Sequence, residues 1–302
     1  MNFALIPFFL AVNVSVDDPN EWIHGPEYVF QANITYLLFP DLVKEPHRRI
    51  SEILFVKCRP QSPENLLCFL KGDGIDSSNE DLSSEESPIK SSLDMPFLIE
   101  FSPRGVEHLR LMYVMDKLDL YFIRSIAKQL SVGADLRENA NALFGFEAKE
   151  NYVFGECSSF FRAVEYDKDK DRPMKVIKER WNYDIQLLPL NRSRTDSVFV
   201  IEKTTESKRC VKAKDPDYRP QDVNVASISK IRVSNDMFSS RTELHVHGGK
   251  TNIKKSPSLI HQDIINLELF CIEPAKEPLL SYNYDHVVPL HYKRTIDHNF
   301  LS

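Results

Sequence analysis

The chain has 302 residues and a formal net charge of −6, from 38 Lys+Arg and 44 Asp+Glu. With 42% hydrophobic and 27% charged residues and a mean hydropathy of −0.34, it has the composition of a folded protein of one or two domains, which excludes collagen, a coiled coil and a mostly disordered chain. Only 9 glycines argue against a Gly-rich nucleotide-binding fold, and the acidic balance gives no global attraction to nucleic acid or anionic membranes.

Residues 1–16, MNFALIPFFLAVNVSV, are nearly continuously apolar from Ala4 to Val12 and are followed by the polar run Asp17 to Glu21. That pattern predicts a secretory signal peptide over 1–16, although the segment lacks a basic residue and a clean small-x-small cleavage site; the competing reading is an N-terminal strand. No later stretch reaches the roughly 18 apolar residues of a membrane span, so no transmembrane anchor is expected and the mature chain is placed in an extracellular fluid. Five cysteines, Cys58, Cys68, Cys157, Cys210 and Cys271, then enter an oxidising compartment, where the odd count leaves one thiol over. Two acceptor sequons suit the same route, Asn33-Ile-Thr and Asn191-Arg-Ser.

Period-two patterning dominates the rest. Tyr28, Phe30, Ala32, Ile34 and Tyr36 share one strand face, and Val29, Gln31, Asn33 and Thr35 the other, which puts Asn33 on the more polar side. Strands are predicted at 50–58 and 65–71, with Arg59 to Pro63 as the turn between them. A hairpin is predicted from 97–101 through Ser102-Pro-Arg-Gly105 to 106–113. Further strands follow at 152–166, 174–181, 196–202, 226–233, 242–247 and 263–273. Short links make them antiparallel. One segment differs: between Asp116 and Val132 the apolar positions Leu118, Phe122, Ile123, Ile126, Ala127 and Leu130 are spaced by three and four, a single helical stripe, with Gly133 just past its end. The pattern is therefore mainly β and antiparallel, with one helix that can plug the open mouth of a curved sheet.

Residues 72–92, GDGIDSSNEDLSSEESPIKSS, are almost free of apolar side chains and read as a disordered acidic, Ser-rich loop. Ser78, Ser83 and Ser84 each have Glu two residues on and are candidate phosphorylation sites with weak calcium affinity once modified. No GxSxG, Walker, GxGxxG or HExxH motif occurs, and the Asp285–His286 pair comes with no nucleophile motif, so no enzyme and no resident cofactor are expected. His245 and His247 lie on one strand face at a metal-ligand spacing, with His261 or Glu243 as a third ligand; two ligands alone do not make a closed site. Lys175, Lys178, Arg180, Arg192 and Arg194 form a basic cluster around Trp181 and Tyr183, either a solvated face or a docking patch for an acidic partner.

Several motifs occur in a telling order. They are Glu21-Trp-Ile-His-Gly-Pro-Glu-Tyr-Val-Phe30, Pro96-Phe-Leu-Ile-Glu-Phe101 with Gly105-Val106, and the helix Tyr121 to Leu130. Gly155-Glu-Cys157, Met174-Lys-Val-Ile-Lys178 and Cys210 follow. Over about residues 20–280 this set resembles the N-terminal barrel module of the vitellogenins, of the large lipid transfer protein family, and most closely those of insects. The resemblance implies a fold class that agrees with this pattern, a strongly curved antiparallel β-barrel wrapping one central α-helix, and a disulfide between Cys157 and Cys210. Cys58 and Cys68, flanking the first hairpin, are candidates for a second bridge, which departs from the family pattern. Cys271, on a strand face with Ile265, Leu267 and Leu269, is expected to be a buried thiol. Residues 281–302 read as a short C-terminal tail, without the helical and lipid-cavity domains that follow the barrel in full vitellogenins.

The family's barrel contacts a lipoprotein-receptor-type cell-surface receptor. The resemblance therefore implies a secreted receptor- or partner-binding module with little lipid capacity of its own. The alternatives are genuine lipid transport or yolk nutrient storage, and a metal- or calcium-binding secreted protein using His245, His247 and the Ser-rich loop.

Overall fold

The computed structural model describes residues 2–6, 10–14, 18–39, 48–62, 64–72, 96–102, 104–115, 117–134, 145–152, 155–167, 183–187, 197–212, 223–234, 237–248, 259–279 and 282–290. The strands are, in chain order, β1 (Asn2–Ile6), β2 (Leu10–Val14), β3 (Pro26–Leu38), β4 (Arg48–Ser62), β5 (Asn65–Gly72), β6 (Pro96–Ser102) and β7 (Gly105–Leu111). After the helix α1 (Lys117–Gln129) come β8 (Phe146–Tyr152), β9 (Gly155–Asp167), β10 (Tyr183–Leu187), β11 (Ser197–Lys212) and β12 (Val223–Ser234). The last three are β13 (Met237–Gly248), β14 (Leu259–Pro274) and β15 (His286–Pro289).

Twelve strands form one sheet in the order β15-β7-β6-β5-β4-β3-β14-β13-β12-β11-β9-β8, with every ladder antiparallel. A flat sheet would hold β15 and β13 about 34 Å apart, at about 4.8 Å per strand. Yet Arg124 of α1 donates to the Pro289 carbonyl of β15, and Gln129, five residues on, accepts from Ser240 and Thr242 of β13. The sheet must curl around the helix to allow both. It is not a closed barrel: among the described residues no ladder joins β8 to β7 or β15. At that seam the Arg104–Glu156 ion pair (2.9 Å) links the turn before β7 to β9. There Gly105 and Gly133 approach so closely that a Cβ on Gly105 would stand 3.1 Å from the Gly133 Cα. Both hold positive φ, +102° and +86°, where glycine alone is unstrained.

Several predicted bounds shift. The expected turn at Arg59 to Pro63 is strand as far as Ser62, because Pro60 falls at a register irregularity and Arg59 is buried with its guanidinium on the His24 and Glu277 carbonyls. The strand expected at 152–166 is β9, starting at Gly155, and a strand not expected, β8, precedes it and pairs with it. The segment read as a C-terminal tail supplies β15, whose Val287 and Val288 pair with Arg110 and Leu109 of β7. The apolar run expected as a signal peptide forms β1 and β2, which build a small three-stranded sheet with β10. A continuous apolar run suits a leader and a strand pair alike, and cleavage concerns the precursor. The loop at 73–92 and the strand expected at 174–181 lie outside the described residues.

Candidate functional site

The feature that decides what this sheet can hold is its interior. Of the expected stripe of α1, Phe122, Ile123, Ile126, Ala127 and Leu130 are at most 5% exposed and belong to the core with Phe30, Val56, Phe97 and Ile99. Four polar residues of the helix are buried with it: by spacing Asp119 and Gln129 fall within or beside the apolar stripe, and Arg124 and Ser125 lie outside it. Enclosed polar groups of this kind need hydrogen-bond partners.

Arg124 donates to the Pro289 carbonyl, and Gln129 meets a polar belt on the inner faces of β8 to β14. Gln129 Oε1 accepts from Ser240 Oγ (2.7 Å) and Thr242 Oγ1 (3.0 Å), and Thr242 also bonds Ser229 (2.8 Å). Past the helix end, Lys203 Nζ donates to the Val132 carbonyl (3.2 Å) and pairs with Glu150 Oε2 (2.7 Å). Glu150 Oε1 takes the hydroxyls of Ser159 (2.6 Å) and Thr205 (3.0 Å). Lys128 places its ammonium 3.4 Å from the centroid of the Tyr152 ring, a cation–π contact. Burial, and after it the Lys203 ammonium, push the Lys128 pKa well below the ordinary lysine range, against the pull of Glu150 and Asp263.

At the other end of the helix, Glu52 of β4 and Asp119 of α1 are both buried. Burial, with the Asp119 charge second, raises the Glu52 pKa to about 7. Nearby, Tyr36 packs against Tyr121 and His261, and His261 Nε2 bonds Asp263 Oδ1. The described interior holds protein side chains that pair with one another, with Gln129 Nε2 and Asp263 Oδ2 left enclosed without a hydrogen-bond partner.

The predicted site residues fall in three groups. Disulfides join Cys58 to Cys68 across β4 and β5, and Cys157 to Cys210 across β9 and β11. Cys271 is the free cysteine, but it is half-buried rather than buried. A bulge between Leu269 and Cys271 slips the strand parity, so Ile272 takes the inward position and Cys271 the outward one. Burial, then Glu273, raises its thiol pKa. Asn33 stands on the outer face of β3, half-buried, opposite Ile53 and Asn266. His245 and His247 stack on the outer face of β13 with centroids 6.5 Å apart, and His245 Nε2 lies 3.4 Å from Glu243 Oε2. Burial and then His245 lower the His247 pKa. His261 faces inward, away from this pair, and among the described residues no group of three or more His, Cys, Asp or Glu is placed to hold a metal ion. Lys175, Lys178, Arg180, Arg192, Arg194, Asn191, Ser78, Ser83 and Ser84 lie outside the described residues. The sequence did not reveal the Glu150–Lys203 pair or the Gln129 contacts. Their one signal was the run of small hydroxyl residues on the inward parity of β12 and β13.

These observations define a class first: an incompletely closed antiparallel β-barrel plugged by its own helix. A solved structure of lipovitellin, titled for its lipid–protein interactions, is similar to this chain with a TM-score of 0.59 and 14% identity, over 91% of this chain and 28% of the lipovitellin chain. The chain therefore has a lipovitellin-like fold, the fold expected from the vitellogenin resemblance, and it spans less than a third of that lipovitellin chain. No family model matches the sequence, and no curated protein sequence matches it. No helix among the described residues is long and apolar enough to cross a membrane.

Proposed function

We propose that the chain is a secreted, vitellogenin-like protein equivalent to the N-terminal barrel module of insect-type vitellogenins. It acts without catalysis, by binding a lipoprotein-receptor-type cell-surface receptor or a similar partner, and has little lipid capacity of its own. The supporting observation is the filled interior: α1 occupies the volume that a curved sheet would otherwise offer to an apolar ligand. Two disulfides and the apolar N-terminal segment favour an extracellular site of action. The second reading, genuine lipid transport or storage, draws on the likeness to lipovitellin, whose structure was described for its lipid contacts.

The test is a pulldown of the purified chain on an immobilised lipoprotein-receptor-type ectodomain. Retention at low salt is expected, with loss when Lys175, Lys178 and Arg180 are changed to Glu, because a basic patch docks an acidic partner through screened charge. Failure to be retained at low salt overturns the receptor reading.

A further inference from the structure

The outer face of β3, β4 and β14 carries an apolar patch in an otherwise polar surrounding. Ile53 is 44% exposed and Phe270 48%, and Phe55 packs edge-on against Phe270 with ring centroids 5.9 Å apart. Phe270 faces outward at the bulge between Leu269 and Cys271, where the ladder to β3 slips by one residue. Lys57, bridging Glu27 and Glu273, forms a charged rim on one side. Exposed aromatic clusters in the middle of a sheet face are uncommon without an occupant.

The residue set into this patch is Asn33, the first residue of an Asn-Ile-Thr sequon. It lies directly across from Ile53 and diagonally from Phe55, which itself opposes Gln31. Its Oδ1 is enclosed and makes no hydrogen bond, so no hydrogen bond fixes that oxygen in the sheet. Directly opposed side chains stand about 5 Å apart and diagonal ones about 7–8 Å, the width of a sugar ring or slightly more.

We infer that Asn33 carries an N-linked glycan whose first sugars lie over Ile53, Phe55 and Phe270 and shield them. This rests on the secretory routing proposed above. Before β3 pairs, the Asn33 amide nitrogen attacks C1 of a lipid-pyrophosphate-linked oligosaccharide. The N–C bond forms, the bond from C1 to the pyrophosphate oxygen breaks, the lipid pyrophosphate leaves and one amide proton is released. In the folded chain the C–H face of the sugar covers the aromatic rings and removes apolar surface from water.

The test is expression of the full chain in a glycosylating secretory host. Peptide mass mapping is run at Asn33 and Asn191, and bis-ANS fluorescence reports exposed apolar surface. Sugar is expected at Asn33. Asn33→Gln and Thr35→Ala should each raise dye fluorescence about two-fold as the patch is uncovered. Thr35→Ser, which keeps the sequon, should not, and Phe55→Ser added to Thr35→Ala should reverse the rise. Sugar at Asn191 with Asn33 bare overturns the inference and leaves the secretory route standing. Both sites bare overturns both. An occupied Asn33 whose removal leaves the dye signal unchanged overturns the shielding.

Discussion

The interior ion pair gives the sharpest test of how the helix is held. Lys203 and Glu150 are 4% and 2% exposed, and Lys203 also bonds the Val132 carbonyl just past α1. Changing Lys203→Met leaves an enclosed carboxylate with only two hydroxyl donors, and strands the Val132 oxygen. Breaking one side of a buried pair costs about 3–5 kcal/mol. The double variant Lys203→Met, Glu150→Gln removes the stranded charge while keeping an acceptor for Ser159 and Thr205. It should recover all but about 1–2 kcal/mol. Urea unfolding followed by circular dichroism measures both values. If Lys203→Met costs less than about 1 kcal/mol, the value of a solvent-exposed pair, or if the two substitutions add, the two groups do not pair inside the sheet and the account of the belt is wrong.

Three further outcomes follow from the same geometry. Glu52 binds a proton more tightly folded than unfolded, so its contribution is fully favourable below about pH 4.5 and is lost as pH rises through about 7, a loss of about 3 kcal/mol; Glu52→Gln should flatten that fall in stability between pH 4.5 and 7, and an unchanged pH profile would show that Glu52 is solvated. The Cys157–Cys210 bridge closes a separation of 53 residues and Cys58–Cys68 one of 10, so replacing Cys157 by Ser should cost about 4 kcal/mol and Cys58 by Ser about 3; a Cys157→Ser variant that is secreted and melts like the parent contradicts the bridge. A Cβ on Gly133 would fall 2.3 Å from Glu150 Oε2 at a φ of +86°, whereas one on Gly25 meets nothing within 4 Å; Gly133→Ala should therefore destabilise clearly more than the roughly 1 kcal/mol of strain expected for Gly25→Ala, and equal thermal shifts would refute the close approach.

How much of this the sequence disclosed depends on range. Alternation placed β3 and much of β12 and β14, because one face of each is apolar and the other polar, whereas β5 and β6 are apolar runs bounded by turn residues and β11 runs ten residues past its expected end. The three-and-four spacing placed α1. What failed needed partners far along the chain. Asp119 and Gln129 interrupt or border the apolar stripe and Arg124 lies outside it; the partners that accompany the burial of Arg124 and Gln129, Pro289, Ser240 and Thr242, are more than a hundred residues away. Cys271 was assigned to the inner face by simple parity, and a single bulge reversed it. Pro60 has the local pattern of a turn, yet the ladder with β5 carries the strand past it. Ile53, Phe55 and Phe270 come from two strands that a third separates, so no local window contains the patch.

The central claim is that a chain with a lipovitellin-like fold packs its own helix into the interior of its curved sheet and so has little lipid capacity. The most direct measurement is the lipid content of the protein purified from its secreting cells, by organic extraction and mass spectrometry per mole of chain. The account predicts none, or at most one or two molecules. Stoichiometric recovery of many lipid molecules per chain, lost when the protein is unfolded, would contradict it and restore the carrier reading.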